Sequence, residues 1–377
     1  MRIGIVCYPT FGGSGVVATE LGVSLAQAGH QVHFMTYKQP VRLNALQPNI
    51  HFHEVYVPKY PLFHYQPYEL ALSSTLVDMV KLHKLDLLHV HYAIPHAYAA
   101  YMAKQMLAEA GIHIPIVTTL HGSDITLVGS HPFYKPAVTF SINQSDVVTS
   151  VSQSLCEDTH RLLGVKREIN VVPNFIDILK YDKLREDCKR SMMAEPHERI
   201  VTHVSNFRPV KRVQDVLRVF ERIVEKQPAK LMMVGDGPDR KMAEDLCAEL
   251  QIEDHVVFLG NSNDVYRILC FSDLFLLPSQ TESFGLAALE AMAARTPVIC
   301  SNEGGLPEVV QDGVSGYLTS AGDTDAMASK ALSLLTDLDQ LRTFKEAAYH
   351  RAKKFDINHV VPMYLDIYEK ALACLAR

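Results

Sequence analysis

Several features are scarce in this 377-residue chain, and each scarcity removes a class of protein. No uncharged apolar run approaches the ~18 residues that a membrane span needs. The opening Met1-Arg2-Ile3-Gly4-Ile5-Val6-Cys7-Tyr8-Pro9 is too short, and too quickly cut by Pro9, for a secretory signal, so a cytoplasmic location is expected. Seven cysteines, an odd number with no CxxC pair, support neither a disulfide framework nor a zinc ribbon. Reduced thiols are the expectation. Charge of one sign is also scarce. Residues 1–172 carry 11 Lys+Arg against 11 Asp+Glu, residues 173–377 carry 25 against 31, and the net is −6. Neither half is the basic field that nucleic-acid binding uses, so no nucleic-acid partner is expected.

What remains is ordinary globular composition, with 48% hydrophobic and 21% charged residues, in a chain long enough for two domains. One imbalance stands out: 13 of the 18 histidines fall in residues 1–172, suited to a polar cleft but otherwise without a reason in the sequence.

The first half reads as alternating short apolar strands and helices. Strands are expected at 3–7, 32–36, 51–57, 87–91, 114–120, 147–151 and 169–172, with helices at 16–28, 73–82 and 96–110. The pattern restarts with strands at 200–204, 231–234, 256–259, 274–277 and 298–300. Between them, Val213, Val216, Leu217, Phe220, Ile223 and Val224 form one apolar helical face, while Arg218, Arg222 and Lys226 are expected in solvent. The fold class is therefore α/β, two Rossmann-like doubly wound parallel-sheet domains facing a cleft. The division is set at 1–172 and 173–356, with the C-terminal helix 357–377 expected to join the first domain.

In such sheets ligands sit at the carboxyl ends of the strands, so the loops there matter most. After 274–277 comes Glu282-Ser283-Phe284-Gly285-Leu286-Ala287-Ala288-Leu289-Glu290. A helix beginning near Gly285, with Ser283 as its N-cap, leaves the amides of Phe284, Gly285 and Leu286 unpaired, an anion site. Glu282 and Glu290 bracket it and suit sugar or ribose hydroxyls. Arg208 and Lys211, after 200–204, are two cations suited to a diphosphate leaving group. Gly235-Asp236-Gly237-Pro238 reads as a tight loop. Gly12-Gly13-Ser14-Gly15 follows the first strand and is not GxGxxG, which disfavours NAD while still letting backbone approach a ligand. His89, His91, His96, His121 and Asp124 invite a metal reading, but no Cys or carboxylate-rich set accompanies them. Hydrogen-bonded polar residues are the better expectation there, and no metal is expected.

Glu282–Glu290, read with Asn206–Lys211, Gly235–Pro238 and Gly304-Gly305-Leu306-Pro307-Glu308, resembles the retaining glycosyltransferases of family 4, the two-Rossmann-lobe or GT-B type, over essentially the whole chain. Cys7-Tyr8-Pro9, Gly12–Gly15, Tyr60-Pro61-Leu62-Phe63, Pro67-Tyr68-Glu69-Leu70, His89–His96, Thr118–Thr126 and His203–Arg208 are more narrowly similar to the branch whose acceptor is L-malate, at the first step of bacillithiol biosynthesis. The resemblance implies transfer of N-acetylglucosamine from UDP-GlcNAc to the malate hydroxyl with retention and no metal or other cofactor. It implies Glu290 on the ribose, Glu282 on the sugar, and Arg208, Lys211 and the amides of Phe284–Leu286 on the diphosphate, with Asn206, Ser283 and Gly15 nearby. Backbone of Leu259 would meet the uracil and His121 the transferred sugar. Ser14, Tyr92, Thr119, His121 and Arg208 would face malate or the phosphates. His121, Arg208, Lys211 and Glu282 are thus the catalytic candidates. Relatives of this family react on one face, the leaving phosphate taking the acceptor's proton. One departure is Ala293-Ala294-Arg295, where relatives usually carry a helix-ending Gly.

Three alternatives stay open: a same-fold enzyme acting on a lipid, polysaccharide or inositol phosphate; a non-catalytic nucleotide-sugar-binding protein; and a metal-dependent hydrolase built on the histidines. Lipid-acceptor relatives use a basic amphipathic helix, which this sequence lacks, so no stable membrane association is expected. The sequence leaves the oligomeric state open, a homodimer included.

Overall fold

The apolar runs marked as strands pair in parallel into two sheets in the computed structural model, which describes residues 1–377 apart from 11, 60, 185–189, 263 and 377. Tyr60 of the sequence motifs therefore lies outside the described residues. The chain forms two compact units, Met1–Asn174 with Ile357–Arg377, and Phe175–Asp356.

Unit 1 holds seven strands: β1 (Arg2–Val6), β2 (Gln31–Thr36), β3 (Ile50–Glu54), β4 (Leu87–His91), β5 (Ile116–Leu120), β6 (Val147–Ser150) and β7 (Ile169–Val171). Their order is β3-β2-β1-β4-β5-β6-β7. Unit 2 holds β8 (Arg199–Val204), β9 (Ala229–Val234), β10 (Val256–Gly260), β11 (Leu274–Leu277), β12 (Val298–Ser301) and β13 (Gly316–Thr319), in the order β10-β9-β8-β11-β12-β13. Both are doubly wound. In each, strand order reverses once, between β1 and β4 and between β8 and β11, and the loops leaving those strands flank the place where such folds bind ligands.

The helix Val213–Val224 buries Val213, Val216, Leu217, Phe220 and Ile223 completely, as its 3.6-residue spacing demands. Arg218 and Lys226 are exposed. Arg222 departs from expectation: it is half-buried and pairs with Asp325 at 2.6 Å and Thr324 Oγ1 at 3.0 Å on a neighbouring helix. The C-terminal helix Ile357–Ala373 packs on unit 1, with Tyr364 and Tyr368 fully buried. Cys7, Cys156, Cys247 and Cys300 are buried thiols. Cys270 is disulfide-bonded, a departure from the expectation of wholly reduced cysteines. Among the described residues no helix is long and apolar enough to cross a membrane.

Candidate functional site

At the switch point of unit 2, two loops are clamped together. The loop after β8 runs Ser205–Lys211. Phe207 is fully buried with φ of +34°, its ring edge-on to Phe258, so it pins the loop while Asn206 and Arg208 on either side stay exposed. Pro209–Lys211 forms a single 3-10 turn. The loop after β11 reaches it through Gln280 N–H donating to the Val210 carbonyl at 2.8 Å, and Lys211 Nζ forms an ion pair with Glu282 Oε1. Ser279 Oγ donates to the same Oε1 at 3.0 Å. Both side chains of the pair are largely buried (20% and 13% exposed), so the pair is screened less than a surface one and fixes the ammonium in place.

Glycines from the adjoining loops make this packing possible. A Cβ on Gly235 would sit 1.8 Å from the Ser205 carbonyl oxygen, and one on Gly304 the same distance from that of Glu282. Gly235–Pro238 is thus more than a turn: its glycines let its backbone touch that of Ser205–Phe207. Gly304 does the same beneath Glu282, and Gly305 N–H donates to the Glu282 carbonyl at 2.9 Å.

The helix expected near Gly285 is Leu286–Ala293, but its N-cap is Gly285 and not Ser283. Gly285 has φ of +94°, a conformation that favours glycine, and it turns the chain sharply enough to start the helix without a serine cap. The first-turn amides lack intrahelical partners, as at any helix start, and no acidic side chain lies in that turn. Phe284 is buried against Phe355 and anchors the turn; Ser283, Leu286 and Glu290 are partly exposed. Leu259, partly exposed near the end of β10, stands beside the Gly235–Gly260 hydrogen bond. At the far end of the helix Arg295 takes the left-handed position usually held by glycine, at φ of +60°. Its guanidinium stacks 3.9 Å over the Tyr349 ring and pairs with Glu346, contacts that offset the strain.

The switch point of unit 1 has a different chemistry. Ser14 Oγ, in the first turn of the helix Gly13–Gln27, hydrogen-bonds Tyr92 OH at 2.7 Å, joining the loops after β1 and β4. His91 Nδ1 hydrogen-bonds His121 Nε2 at 2.8 Å, joining the end of β4 to the loop after β5. Asp124, 2% exposed, accepts from the amides of Ala93 (3.0 Å), Gly122 (2.9 Å) and His121 (3.2 Å) and so latches those loops a second time. Burial pushes its carboxyl up against the pull of those amides.

Beneath this surface lies a buried chain of neutral groups. His89 Nδ1 meets Tyr368 OH at 2.8 Å, and its Nε2 meets Thr119 Oγ1 at 2.7 Å, which in turn meets Thr149 Oγ1 at 2.7 Å. Burial, with neighbouring imidazoles, holds His89 and His121 down at about 3 and His91 well below its usual value; burial alone holds His96 at about 4. All four are neutral at pH 7.

Thr119 is fully buried, its hydroxyl held by His89 and Thr149. Gly15 brings its backbone close to protein: a Cβ there would lie 2.5 Å from the Tyr8 carbonyl oxygen and 2.7 Å from that of Thr10. Two residues went unassigned in the sequence. Tyr8 packs on Tyr92 and His96 (ring centroids 5.1 and 4.6 Å), and Asp124 was read only as a metal candidate. A buried-type Asp three residues after His121 was the available signal for the latch.

Comparisons with known proteins identify the family. Residues 11–179 match the family model "Glycosyltransferase Family 4" and residues 185–351 the model "Glycosyl transferases group 1". N-acetyl-alpha-D-glucosaminyl L-malate synthase of Bacillus anthracis is 49% identical over 374 residues, 99% of this chain and 97% of that protein. D-inositol 3-phosphate glycosyltransferase of Rhodococcus opacus is 28% identical over 76% of this chain and 67% of its own. Among solved structures, sucrose-phosphate synthase of Thermosynechococcus elongatus superposes with a TM-score of 0.82 at 20% identity, covering 99% of both chains. Anabaena HepE, in complex with UDP and glucose, gives 0.78 at 19% identity over 98% of this chain and 99% of that one. These two likenesses establish the fold.

Proposed function

Because this chain belongs to the family 4 glycosyltransferases, we propose that it moves N-acetylglucosamine from UDP-GlcNAc to the hydroxyl of L-malate, with the anomeric configuration retained. The observation that carries the reading is the clamp at the β8/β11 switch point. There Lys211 is held by Glu282, Arg208 is exposed on the same loop, and a helix start without acidic residues stands beside them.

A nucleoside diphosphate needs fixed positive potential where its charge grows as the sugar leaves. Arg208, Lys211 and the Phe284–Leu286 amides supply it, and Glu282, whose contacts fall on Oε1, keeps the Lys211 ammonium in place and accepts from sugar hydroxyls. Glu290 accepts from the ribose and the backbone of Leu259 meets the base, with Asn206 and Ser283 lining the approach. The acceptor falls to unit 1, where Ser14, Tyr92 and neutral His121 offer donors to a dicarboxylate at the start of the helix Gly13–Gln27. His121, held by His91, also orients the sugar.

In the step itself, the malate hydroxyl oxygen bonds to the anomeric carbon on the face from which UDP departs. The carbon–oxygen bond to UDP breaks, and a phosphate oxygen takes the hydroxyl proton. No side chain needs to act as nucleophile. The protein positions both partners and stabilises the leaving charge. No metal is required for the step, and the enzyme works in the cytoplasm.

Incubation with UDP-GlcNAc and a panel of hydroxy acids, following UDP release, tests the acceptor. Release with L-malate alone is expected. Equal release across the panel, or release only with inositol phosphate, would replace malate by another acceptor.

A further inference from the structure

The excess of histidine in the first half has a second concentration, away from the switch point. His33 in β2 stands in register with His51 in β3, His53 follows on the same face, and His83 closes the helix Tyr68–His83 that packs above them. The rings of His51, His53 and His83 lie 4.5, 5.2 and 4.5 Å from that of His33. His33 Nδ1 and His53 Nε2 are 2.9 Å apart, and one nitrogen from each of His33, His53 and His83 falls within 4.8 Å of the others.

We propose that His33, His53 and His83 form a binding site for a first-row transition-metal ion of the zinc class, with His51 beside it at the open edge.

Three observations support the site. First, the donor set is three imidazoles and nothing harder, which suits Zn²⁺, Co²⁺, Ni²⁺ or Cu²⁺ and not Mg²⁺ or Ca²⁺. Two imidazole nitrogens on one tetrahedral zinc stand about 3.3 Å apart, close to the spacing of the His33–His53 pair, so a metal would replace the proton they now share. Second, His33 is 1% exposed, and its hydrogen-bond partner among the described residues is the His53 imidazole, so the ring is held with Nδ1 aimed into the cluster. Third, His53 and His83 are partly exposed and His51 is exposed, which leaves an entry path, and His83 ends a helix, where carbonyl dipoles favour a cation.

His33 is the third of six residues in β2 and His53 the fourth of five in β3, so the site stands on the face of these two strands, whereas the loops proposed to bind the acceptor follow β1, β4 and β5. Its role is structural: β3 is the edge strand of its sheet, and one ion would tie it to β2 and to the last turn of a covering helix. Sugar transfer does not depend on it.

Tag-free protein stripped with EDTA and titrated with Co²⁺ reads the site directly. The expected result is one equivalent bound with the visible absorption of tetrahedral cobalt, displaced by Zn²⁺, and a higher Tm with equimolar Zn²⁺. His53→Gln and His83→Gln, both at partly exposed positions, are expected to weaken binding more than about tenfold while circular dichroism stays native. Failure of the folded wild-type protein to take up an equivalent would overturn the proposal. So would uptake that survives both substitutions unchanged.

Discussion

The two switch points are built alike and charged differently. In each sheet, the loops leaving the strands on either side of the reversal are tied by side chains: Ser14–Tyr92 in unit 1, Lys211–Glu282 in unit 2. Unit 1 ties them with hydroxyls and neutral imidazoles over a buried polar chain. Unit 2 uses an ion pair, with an exposed arginine and a helix start. The difference fits the roles proposed for them. A diphosphate leaving with growing charge needs fixed cations. A hydroxy acid is oriented by hydrogen-bond donors, which hydroxyls and a neutral imidazole supply. On that proposal, one topology serves two ligands through the residues set on its loops.

Acid is the steepest way to break the symmetry. Unit 1 buries His89, His91 and His96 and half-buries His121, all with depressed values in the fold, while in unit 2 burial holds His203 at about 4. The unfolded chain binds protons on these rings below about pH 6.5; in the folded chain His89 and His121 do so only at about pH 3, His96 and His203 at about pH 4, and His91 only well below its usual value. Stability contributed by the neutral rings is therefore present above pH 6.5 and falls as pH drops through that window, by about 1.4 kcal/mol per pH unit for each ring at most. Hydrogen exchange at pH 7 and pH 5 is expected to show unit 1 losing more protection than unit 2. Equal loss in both would contradict this assignment of neutral histidines.

Next in size are the cations. Arg208→Ala and Lys211→Ala are each expected to cut kcat by about 10²-fold or more, since one preorganised charge-stabilising group is commonly worth that much. Steady-state rates read the effect, and near-normal turnover in both variants would remove the proposed role. Gly304→Ala probes the clamp without touching charge. Its Cβ would meet the Glu282 carbonyl oxygen, so the loop must shift, and a fall in kcat/KM of about 10-fold or more is expected, with donor KM raised. An unchanged donor KM would show that the glycine contact does not hold the site in place.

The smallest effect is expected at Arg295. Arg295→Ala keeps the left-handed strain and loses the Tyr349 and Glu346 contacts; Arg295→Gly loses the contacts and relieves the strain. The alanine variant should be less stable than the glycine variant by about 1 kcal/mol in denaturant unfolding. The reverse order would mean that the strain is negligible.

Much of this architecture was legible in the chain. Short apolar strands and the face of Val213–Val224 announced themselves because burial on both sides of a parallel sheet leaves little room for polar residues. β13 escaped because it is four residues long and begins with Gly316, whose absent Cβ lets it lie against the Val298 carbonyl. At the site, Arg208, Lys211 and Glu282 were found as residue types, but their pairing was not, since 71 positions separate Lys211 from Glu282 and only the sheet order brings them together. Ser283 was misread because serine is a common cap, while the chain there is turned by glycine. The histidine excess was visible as a count. Its division into a buried network under His121 and a cluster around His33 needed the register of β2 with β3 and of β4 with β5.

The most direct measurement is a crystal structure with UDP-GlcNAc bound. The account predicts both phosphorus atoms beside the amides of Phe284–Leu286, with Arg208 and Lys211 in contact with their oxygens. A donor whose phosphates lie instead among Ser14, Tyr92 and His121 would contradict the division of labour between the two switch points.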